Sequence, residues 1–270
     1  MPRPVSRLLG LAVLLALPGL AAAQSCGDDA SGFEAWKQSF AQTAAASGVG
    51  QAGLDALAQT SYATRTIEAD RNQRSFRYPL DEFLRVRGAD TIVSQGRQMY
   101  ASNQAFYDSL EAAYGVPAGI LIAIHGMETG FGNFMGDSNV LSAITTLAYD
   151  CRRGPQFFQE HALAALLLVD RGAISPSSVG AMHGELGHTQ FLPANILRYG
   201  QDGNGDGRVD LTNLADAMAS TANFLRGHGW QPGAGYQEGE PNFRVLGDWN
   251  AATVYQQALA IMGPQIEPGT

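Results

Sequence analysis

The sequence carries little positive charge, and its basic residues form no cluster. Lys and Arg number 17 against 25 Asp and Glu in 270 residues, which gives a formal net charge of −8. Proteins that bind nucleic acids or anionic membrane surfaces normally present a positively charged face. The composition therefore argues against both kinds of partner.

Long hydrophobic runs are also scarce, and the one at the N-terminus has the layout of a secretory signal peptide. In MPRPVSRLLGLAVLLALPGLAAAQSC, two arginines precede an apolar run from Leu8, and the alanines at 21–23 supply a cleavage site. Residues 1–23 are therefore predicted to be removed, so that Gln24 begins the mature chain. The expected location is the periplasm.

Two alternatives to a cleaved leader involve the membrane. An uncleaved anchor is disfavoured because Pro18 breaks a run that is already short for a span, which needs about 20 apolar residues. The second alternative is a lipoprotein modified at Cys26, for which Gln24 and Ser25 are a poor context. Membrane attachment is accordingly expected only if Cys26 is lipidated.

Cysteine is rare, with Cys26 and Cys151 as the two examples. In an oxidising compartment an even pair predicts one disulfide, and two unrelated free thiols are the alternative. Because the enclosed loop is long, the chain-entropy model gives a stabilisation of about 4 kcal/mol or more, less any strain.

The remaining chain reads as mainly helical, without internal repeats. Helical periodicity predicts an N-terminal helical region over 24–110 and a larger core over 111–270. Proline at the start and Gly172 at the end frame a buried helix, PQFFQEHALAALLLVDRG. The last helix is AATVYQQALAIMG, and NFRVLGDW is the best strand candidate.

An acidic loop, DGNGDGRVDLTN at 202–213, follows the spacing of an EF-hand calcium loop. Its predicted oxygen ligands occupy alternate places, with Gly207 at the sharp turn, and they are Asp202, Asn204, Asp206, the Arg208 carbonyl and Asp210. The twelfth place normally holds a bidentate Glu and here holds Asn213.

Asp216, one turn further on, is a candidate replacement for the missing glutamate. The alternative is a metal-free turn in which Asn213 caps the following helix and Asp216 is the capping-box acid. Calcium is the one cofactor that the sequence predicts, at the weak affinity typical of extracellular sites.

The stretch HGELGH raises the possibility of a catalytic zinc site at His183, Glu185 and His188. The helical zinc motif requires histidines four residues apart with Glu directly after the first. Here the histidines are five apart and glycines weaken any helix. We therefore interpret HGELGH as a tight loop that approaches a neighbour closely.

Glu128 ends the most apolar helix of the chain, in VPAGILIAIHGMETGFGNFMGDSN, which contains no Lys or Arg. Apolar neighbours and the negative end of the helix dipole both disfavour a charged carboxylate and raise its pKa. A carboxylic acid that stays protonated near neutral pH suits a general acid. An ordinary Glu in solvent at a helix end is the alternative.

Several motifs together resemble the lytic murein transglycosylase B family, glycoside hydrolase family 103. They are AIHGMETGFGNFMG, LSAITTLAYDCRR, GELGHTQFLPANILRYGQDGNGDGRVDL and DAMASTANFLRGHGW, and the match runs from about residue 33 to 263. The resemblance implies a lysozyme-like helical domain with an N-terminal helical extension. It also implies cleavage of the β-1,4 bond between N-acetylmuramic acid and N-acetylglucosamine in peptidoglycan, with a 1,6-anhydro product.

The resemblance also implies roles for individual residues. The catalytic glutamate falls on Glu128, the late calcium carboxylate falls on Asp216, and the substrate-binding positions fall on Gln190, Asn223, Phe224, Trp249 and Asn250. Two positions depart from the family. Phe224 lacks the hydroxyl of the tyrosine that many members carry, and Ala181 replaces a serine.

Other functions remain open on the sequence alone. One is a wall hydrolase or peptidase, and a second carboxylate such as Asp137 or Glu185 could reach the site in the fold. Another is a calcium-dependent peptidoglycan-binding protein without catalysis, which the departures at Ala181 and Phe224 would allow.

Overall fold

The computed structural model describes residues 26–72 and 78–267, so the predicted signal peptide at 1–23 lies outside the described residues. Within these ranges the chain is mainly helical, as predicted. The helices are α1 (Phe33–Ala46), α2 (Gln51–Gln59), α3 (Thr64–Asn72), α4 (Leu80–Arg87), α5 (Ala89–Ser102), α6 (Gln104–Tyr114), α7 (Ala118–Thr129), α8 (Val140–Tyr149), α9 (Pro155–Asp170), α10 (Pro193–Tyr199), α11 (Leu214–Gly227), α12 (Phe243–Trp249) and α13 (Thr253–Ile266).

Two short strands, β1 (Ser138–Asn139) and β2 (Val179–Gly180), form an antiparallel ribbon with Ser138 opposite Gly180. The ribbon joins the segment after α7 to the segment before α10. The predicted strand NFRVLGDW is wrong, because residues 243–249 form α12. Its apolar residues also fit a helical period, and Val245 and Leu246 are both fully buried, which an alternating strand would not allow.

The described residues form two hydrophobic clusters. The first surrounds α7 and includes side chains from α4–α6 and α11–α13. The second joins α1 and α2 to α8 and α9. The predicted boundary between residues 110 and 111 stays a prediction, although α4–α6 share the first cluster with the helices that follow them.

Helix α7 lies at the centre of the first cluster. It is apolar on every side, and its residues from Ala118 to Met127 are all buried. It packs against α13, and a Cβ atom at Gly119 would lie 2.2 Å from the Gly263 carbonyl oxygen, so this close crossing needs glycine. The burial fixes the helix whose last turn carries Glu128.

The predicted disulfide is confirmed between Cys26 and Cys151. Backbone hydrogen bonds flank it, from the Gly27 N–H to the Tyr149 carbonyl at 3.0 Å and from the Cys151 N–H to the Gly27 carbonyl at 3.3 Å. The Cys26 sulfur is therefore bonded to sulfur in this structure. The bridge fastens the start of the described chain to the turn that follows α8.

No single helix in the described parts of the chain is both long and apolar enough to cross a membrane. One pair of consecutive helices, Gln104–Tyr114 and Ala118–Thr129, is long and apolar enough for a membrane span only when the two are counted together. The pair is bent by 109° at the break between them.

Candidate active site

Glu128 is half-buried in the last turn of α7, as the sequence predicted. The helix ends at Gly130, whose φ of 55° is a left-handed conformation that favours glycine. Two side chains donate hydrogen bonds to Glu128 Oε1, the Tyr255 hydroxyl at 2.6 Å and the Trp249 indole N–H at 3.1 Å. The carboxyl group is thus held by donors from α13 and α12.

The pKa of Glu128 is raised above its ordinary value, chiefly because burial disfavours the charged form. The hydrogen bonds from Tyr255 and Trp249 and the positive charge of Arg87 act in the opposite direction. The charge of Glu185 adds a smaller upward shift. The raised pKa keeps the acid form of Glu128 present at higher pH than for an exposed glutamate.

Arg87, which brings positive charge to this helix end, was not predicted from the sequence. Arg87 Nη2 donates a hydrogen bond to the Met127 carbonyl at 2.7 Å, so α4 caps the negative end of α7. The only sequence signal is an arginine at a helix end before Gly88. That pattern does not identify which helix the arginine caps.

Tyr255 was missed as well. Its side chain is 1% exposed, and a buried tyrosine hydroxyl normally finds a hydrogen-bond partner. The apolar period of the last helix indicates that Tyr255 faces the core, but it does not indicate that Glu128 is the partner.

Gln190 adopts a positive φ of 56°, which is uncommon for a residue other than glycine. Reciprocal backbone hydrogen bonds between Leu186 and Phe191, both 2.9 Å, hold this turn closed. The Gln190 side-chain amide donates to the Gly187 carbonyl at 2.9 Å and to the Met135 carbonyl at 3.4 Å. Strained backbone of this kind persists where the surrounding structure enforces it, often at functional sites.

Trp249 belongs to an aromatic cluster beside Glu128. Its ring centroid lies 5.4 Å from Phe191 and 5.2 Å from Phe224. Phe224 is only 4% exposed and stacks on His228 at 4.2 Å. Phe224 therefore packs against Trp249 and is itself almost fully enclosed.

The two predicted asparagines are engaged with the backbone. The Asn223 side-chain amide donates to the Tyr199 carbonyl at 3.0 Å, and Asn250 Oδ1 accepts from the Ala252 N–H at 3.0 Å. The structure therefore brings Trp249 into contact with Glu128 and with Phe191. Gln190 precedes Phe191 in the chain. The structure shows Asn223 and Asn250 in local structural contacts.

The histidines of HGELGH have different partners. His188 pairs with His125 of α7 at 2.9 Å, whereas His183 lies 3.9 Å from Asp70 and 3.8 Å from Glu185. The described residues contain no group of three or more His, Cys, Asp and Glu side chains placed to hold a metal ion. HGELGH forms a tight turn, as interpreted from its glycines.

The two candidate second carboxylates also differ in position. Asp137 is an exposed residue that pairs with Arg65 at 3.2 Å. Glu185 is close enough to Glu128 for its charge to raise the pKa of that group.

The acidic loop is closed by its own carboxylates. Asp216 is fully buried, and it accepts backbone N–H groups from both ends of the loop, at Gly203, Asn204 and Asp210. Asn213 caps α11 by accepting from the Ala215 N–H at 2.8 Å, which is the role given to it in the alternative of a metal-free turn. Asp216 closes no capping box, because the Asn213 N–H donates to the Asp210 carbonyl.

The remaining carboxylates turn towards the same loop backbone. Asp202 accepts the N–H groups of Gly205 and Gly207, both at 2.7 Å, and Asp206 accepts that of Arg208 at 2.9 Å. Carboxylate, amide and carbonyl oxygens are the ligands that calcium prefers. The donor chemistry of the loop therefore fits calcium, although no metal-binding group is assembled in the described residues.

The acidic loop is linked to α7 through His188. The His188 N–H donates to the Leu211 carbonyl at 3.0 Å, and its ring nitrogen lies 3.1 Å from the Thr212 carbonyl. Thr129, which follows Glu128, donates its hydroxyl to the His188 carbonyl at 2.7 Å. The loop therefore contacts the end of α7 through one intervening residue.

The helical fold of this protein, with one glutamate held between an indole and a phenol at the end of its central helix, is of the lysozyme-like class. The transglycosylase SLT domain family model matches residues 32–239. The chain belongs to this family.

Individual relatives support this assignment. The membrane-bound lytic murein transglycosylase B of Escherichia coli K12 is 34% identical over 132 residues, which make up 47% of this chain and 37% of that protein. The match thus spans little more than a third of the curated relative. The predicted resemblance to the lytic murein transglycosylase B family is confirmed.

Solved structures share the fold. SltB3 from Pseudomonas aeruginosa, in complex with NAG-NAM-pentapeptide, is 28% identical with a TM-score of 0.80, covering 88% of this chain and 80% of its own. Slt35 from Escherichia coli, in complex with calcium, is 22% identical with a TM-score of 0.73, covering 90% and 96%. The lysozyme-like helical fold is therefore confirmed.

Proposed function

We propose that this protein is a peptidoglycan lytic transglycosylase. It cleaves the β-1,4 bond between N-acetylmuramic acid and N-acetylglucosamine and leaves a 1,6-anhydromuramyl end. The main support is the state of Glu128 at the end of the central helix. Its carboxyl group has a raised pKa and accepts hydrogen bonds from Tyr255 and Trp249. The family membership and the glycan-bound relative SltB3 support the same substrate.

In the proposed reaction Glu128 acts twice. It first donates its proton to the glycosidic oxygen as the C1–O bond breaks, while the acetamido group of the substrate stabilises the positive charge at C1. The resulting carboxylate then takes the proton of the C6 hydroxyl as that oxygen bonds to C1. The proton lost in the first step is thereby recovered, and no water is consumed.

The donors around Glu128 suit this double role. Tyr255 and Trp249 both bond to Oε1, which leaves Oε2 as the oxygen for proton transfer. Their hydrogen bonds also stabilise the carboxylate that forms in the first step. We further propose that Gln190 and Trp249 contact the sugar. Around these two residues, the site is shaped by Asn223, Phe224 and Asn250. We also propose that the enzyme acts in the periplasm.

A hydrolase that releases reducing ends is the second candidate, because the Glu185 charge reaches Glu128 and many glycosidases use two carboxylates. Mass spectrometry of products from purified sacculi separates the candidates. Anhydro ends support the proposal, and ends heavier by one water support hydrolysis. Cut peptides would indicate a peptidase, and no product would indicate a binding protein.

The Arg87→Gln variant is expected to keep its activity to higher pH than the wild type. Arg87 lowers the pKa of Glu128, so its removal raises that pKa further. Since the protonated form is the acid, the decline of kcat/KM with rising pH should shift upwards, by about one pH unit or less. The pH–rate profile measures this shift.

An Arg87→Lys variant is the matched control, because it retains the positive charge without the planar guanidinium group. Its profile should lie nearer to that of the wild type. A profile for Arg87→Gln that is merely scaled down, with its inflection unchanged, would contradict a charge effect on Glu128.

We also propose that the acidic loop binds calcium through Asp202, Asn204, Asp206, the Arg208 carbonyl and Asp216, with Asp210 beside them. The support is the donor chemistry, the EF-hand spacing and the buried position of Asp216. Bound calcium would stabilise the loop electrostatically, and through His188 it would stabilise the end of α7. It has no chemical step in the reaction.

Millimolar calcium is therefore expected to raise the melting temperature by a few degrees, since a ligand bound by the native state stabilises it by mass action. Asp206→Ala should abolish this response and keep most activity at low temperature. Asp90→Ala, which removes an exposed carboxylate on α5, should preserve the response. Equal melting temperatures for the wild type in calcium and in chelator would show that the loop is a plain turn.

A further inference from the structure

Phe134 is the most exposed large hydrophobic side chain in the described residues, at 78%. Exposed apolar side chains are common singly, but grouped ones mark binding surfaces. Val179 and Met182 are also exposed, and they lie on the segment that pairs with residues 138–139 through the β1–β2 ribbon. Three of the six exposed large hydrophobic side chains therefore lie on two adjoining segments beside the site.

The backbone that presents Phe134 is held in place. Phe131 has a positive φ of 62°, and its ring turns inward against His125, at a centroid distance of 5.4 Å. The Phe134 N–H then donates to the Thr129 carbonyl at 2.9 Å. The turn thus packs the partly buried Phe131 against the core and leaves Phe134 exposed, with the Phe134 backbone bonded to the residue that follows Glu128.

The Phe134 ring lies at the end of the helix that carries Glu128. A Cβ atom added at Gly130 would lie 3.3 Å from Phe134 Cδ2, so the ring covers the glycine that ends α7. The next residue, Met135, accepts the hydrogen bond from the Gln190 side chain. Phe134 therefore contacts the end of the helix that carries Glu128, and its chain neighbour contacts Gln190.

We propose that Phe134 is a platform on which one sugar ring of the glycan strand stacks. The inference rests on the proposed function and deepens it by naming a further substrate-positioning residue. The face of a pyranose ring presents C–H groups, which pack on an aromatic face, while its hydroxyl groups stay free to bind water or polar side chains. A fixed, exposed ring provides this contact with little loss of conformational entropy on binding.

The test compares Phe134→Ala, Phe134→Trp and Phe157→Ala on soluble, uncrosslinked glycan chains, with both Kd and kcat/KM measured. Loss of an aromatic ring on which a nucleobase stacks typically lowers affinity by about tenfold or more, and we take the same factor for a sugar ring. We expect Phe134→Ala to weaken binding and lower kcat/KM by about that factor, and Phe134→Trp to retain both. Phe157, a 54% exposed phenylalanine on α9, should tolerate alanine without effect.

The outcomes separate the platform from the proposed function. Wild-type values for Phe134→Ala would overturn the platform and leave the function intact if anhydro products still form. Weaker binding by Phe134→Ala in a protein that releases no product would support the platform and overturn catalysis. Absence of glycan binding by the wild type would overturn both.

Discussion

The Glu128→Gln variant is expected to lose at least about 100-fold in turnover on purified sacculi. Glutamine keeps the size of the side chain and can still accept the hydrogen bonds from Tyr255 and Trp249. It cannot donate a proton to the glycosidic oxygen or recover one from the C6 hydroxyl. Because one group serves both half-steps, the loss should reach or exceed the usual value for general acid–base catalysis.

The same substitution should leave the fold intact. Burial disfavours the charged form of Glu128, so a neutral amide should hold or raise the unfolding free energy at neutral pH. A carboxyl whose folded pKa is raised stabilises the protein at low pH and loses that contribution as the pH rises through the folded pKa. Binding to sacculi should persist through Gln190 and Trp249.

Asp137→Asn is the matched control for Glu128→Gln. It makes the same carboxylate-to-amide change at an exposed position that pairs with Arg65. It should retain nearly full turnover. The release of anhydro-muropeptides by both variants, measured over a range of pH, tests whether Glu128 is the catalytic acid. More than about a tenth of wild-type turnover in Glu128→Gln would show that this glutamate is a plain helix end.

The wild-type pH profile adds an independent check. The raised pKa of Glu128 predicts that activity declines as the pH rises through that value, because the carboxylate cannot protonate the leaving oxygen. An exposed glutamate would already be ionised as the pH approaches the raised pKa of Glu128. Activity that does not change with pH there would argue against Glu128 as the acid.

Local sequence predicted those parts of the fold that local forces determine. Helices with a clear apolar period and framing residues, such as α9 with its first-turn proline and Gly172, form as expected. Residues 242–249 were misread because a short run of mixed apolar and polar residues fits both periods. Burial of neighbouring Val245 and Leu246 decides for a helix, and the sequence does not show that burial.

The candidate site was predicted only in part, because a local sequence pattern does not show which distant residues pack together. The position of Glu128 at the end of an apolar helix is visible locally, but that position also fits an ordinary helix end, and the acid role was expected from the family resemblance. Tyr255 lies 127 residues away along the chain, and Arg87 reaches α7 through packing of α4. The positive φ of Gln190 has no sequence signal either, because glutamine is not a typical turn residue.

Removal of the disulfide is expected to have the largest effect on stability. The Cys26–Cys151 bridge closes a sequence separation of 125 residues, so its loss should cost about 4 kcal/mol or more of unfolding free energy in the chain-entropy model, less any strain. For a protein of this size such a loss corresponds to a decrease in melting temperature of roughly 10 °C. The Cys26→Ser/Cys151→Ser double variant avoids the mispairing that a single free thiol would allow.

The effect should be confined largely to stability. The disulfide joins the segment before α1 to the turn after α8, next along the chain to helices of the second hydrophobic cluster, whereas Met127, which precedes Glu128, belongs to the first. At low temperature the double variant should therefore retain most of its activity. Reductant should lower the melting temperature of the wild type to that of the double variant and leave the double variant unchanged. A wild-type melting temperature that does not respond to reductant, or two free thiols titrated in the denatured and unreduced protein, would contradict the bridge as a source of stability.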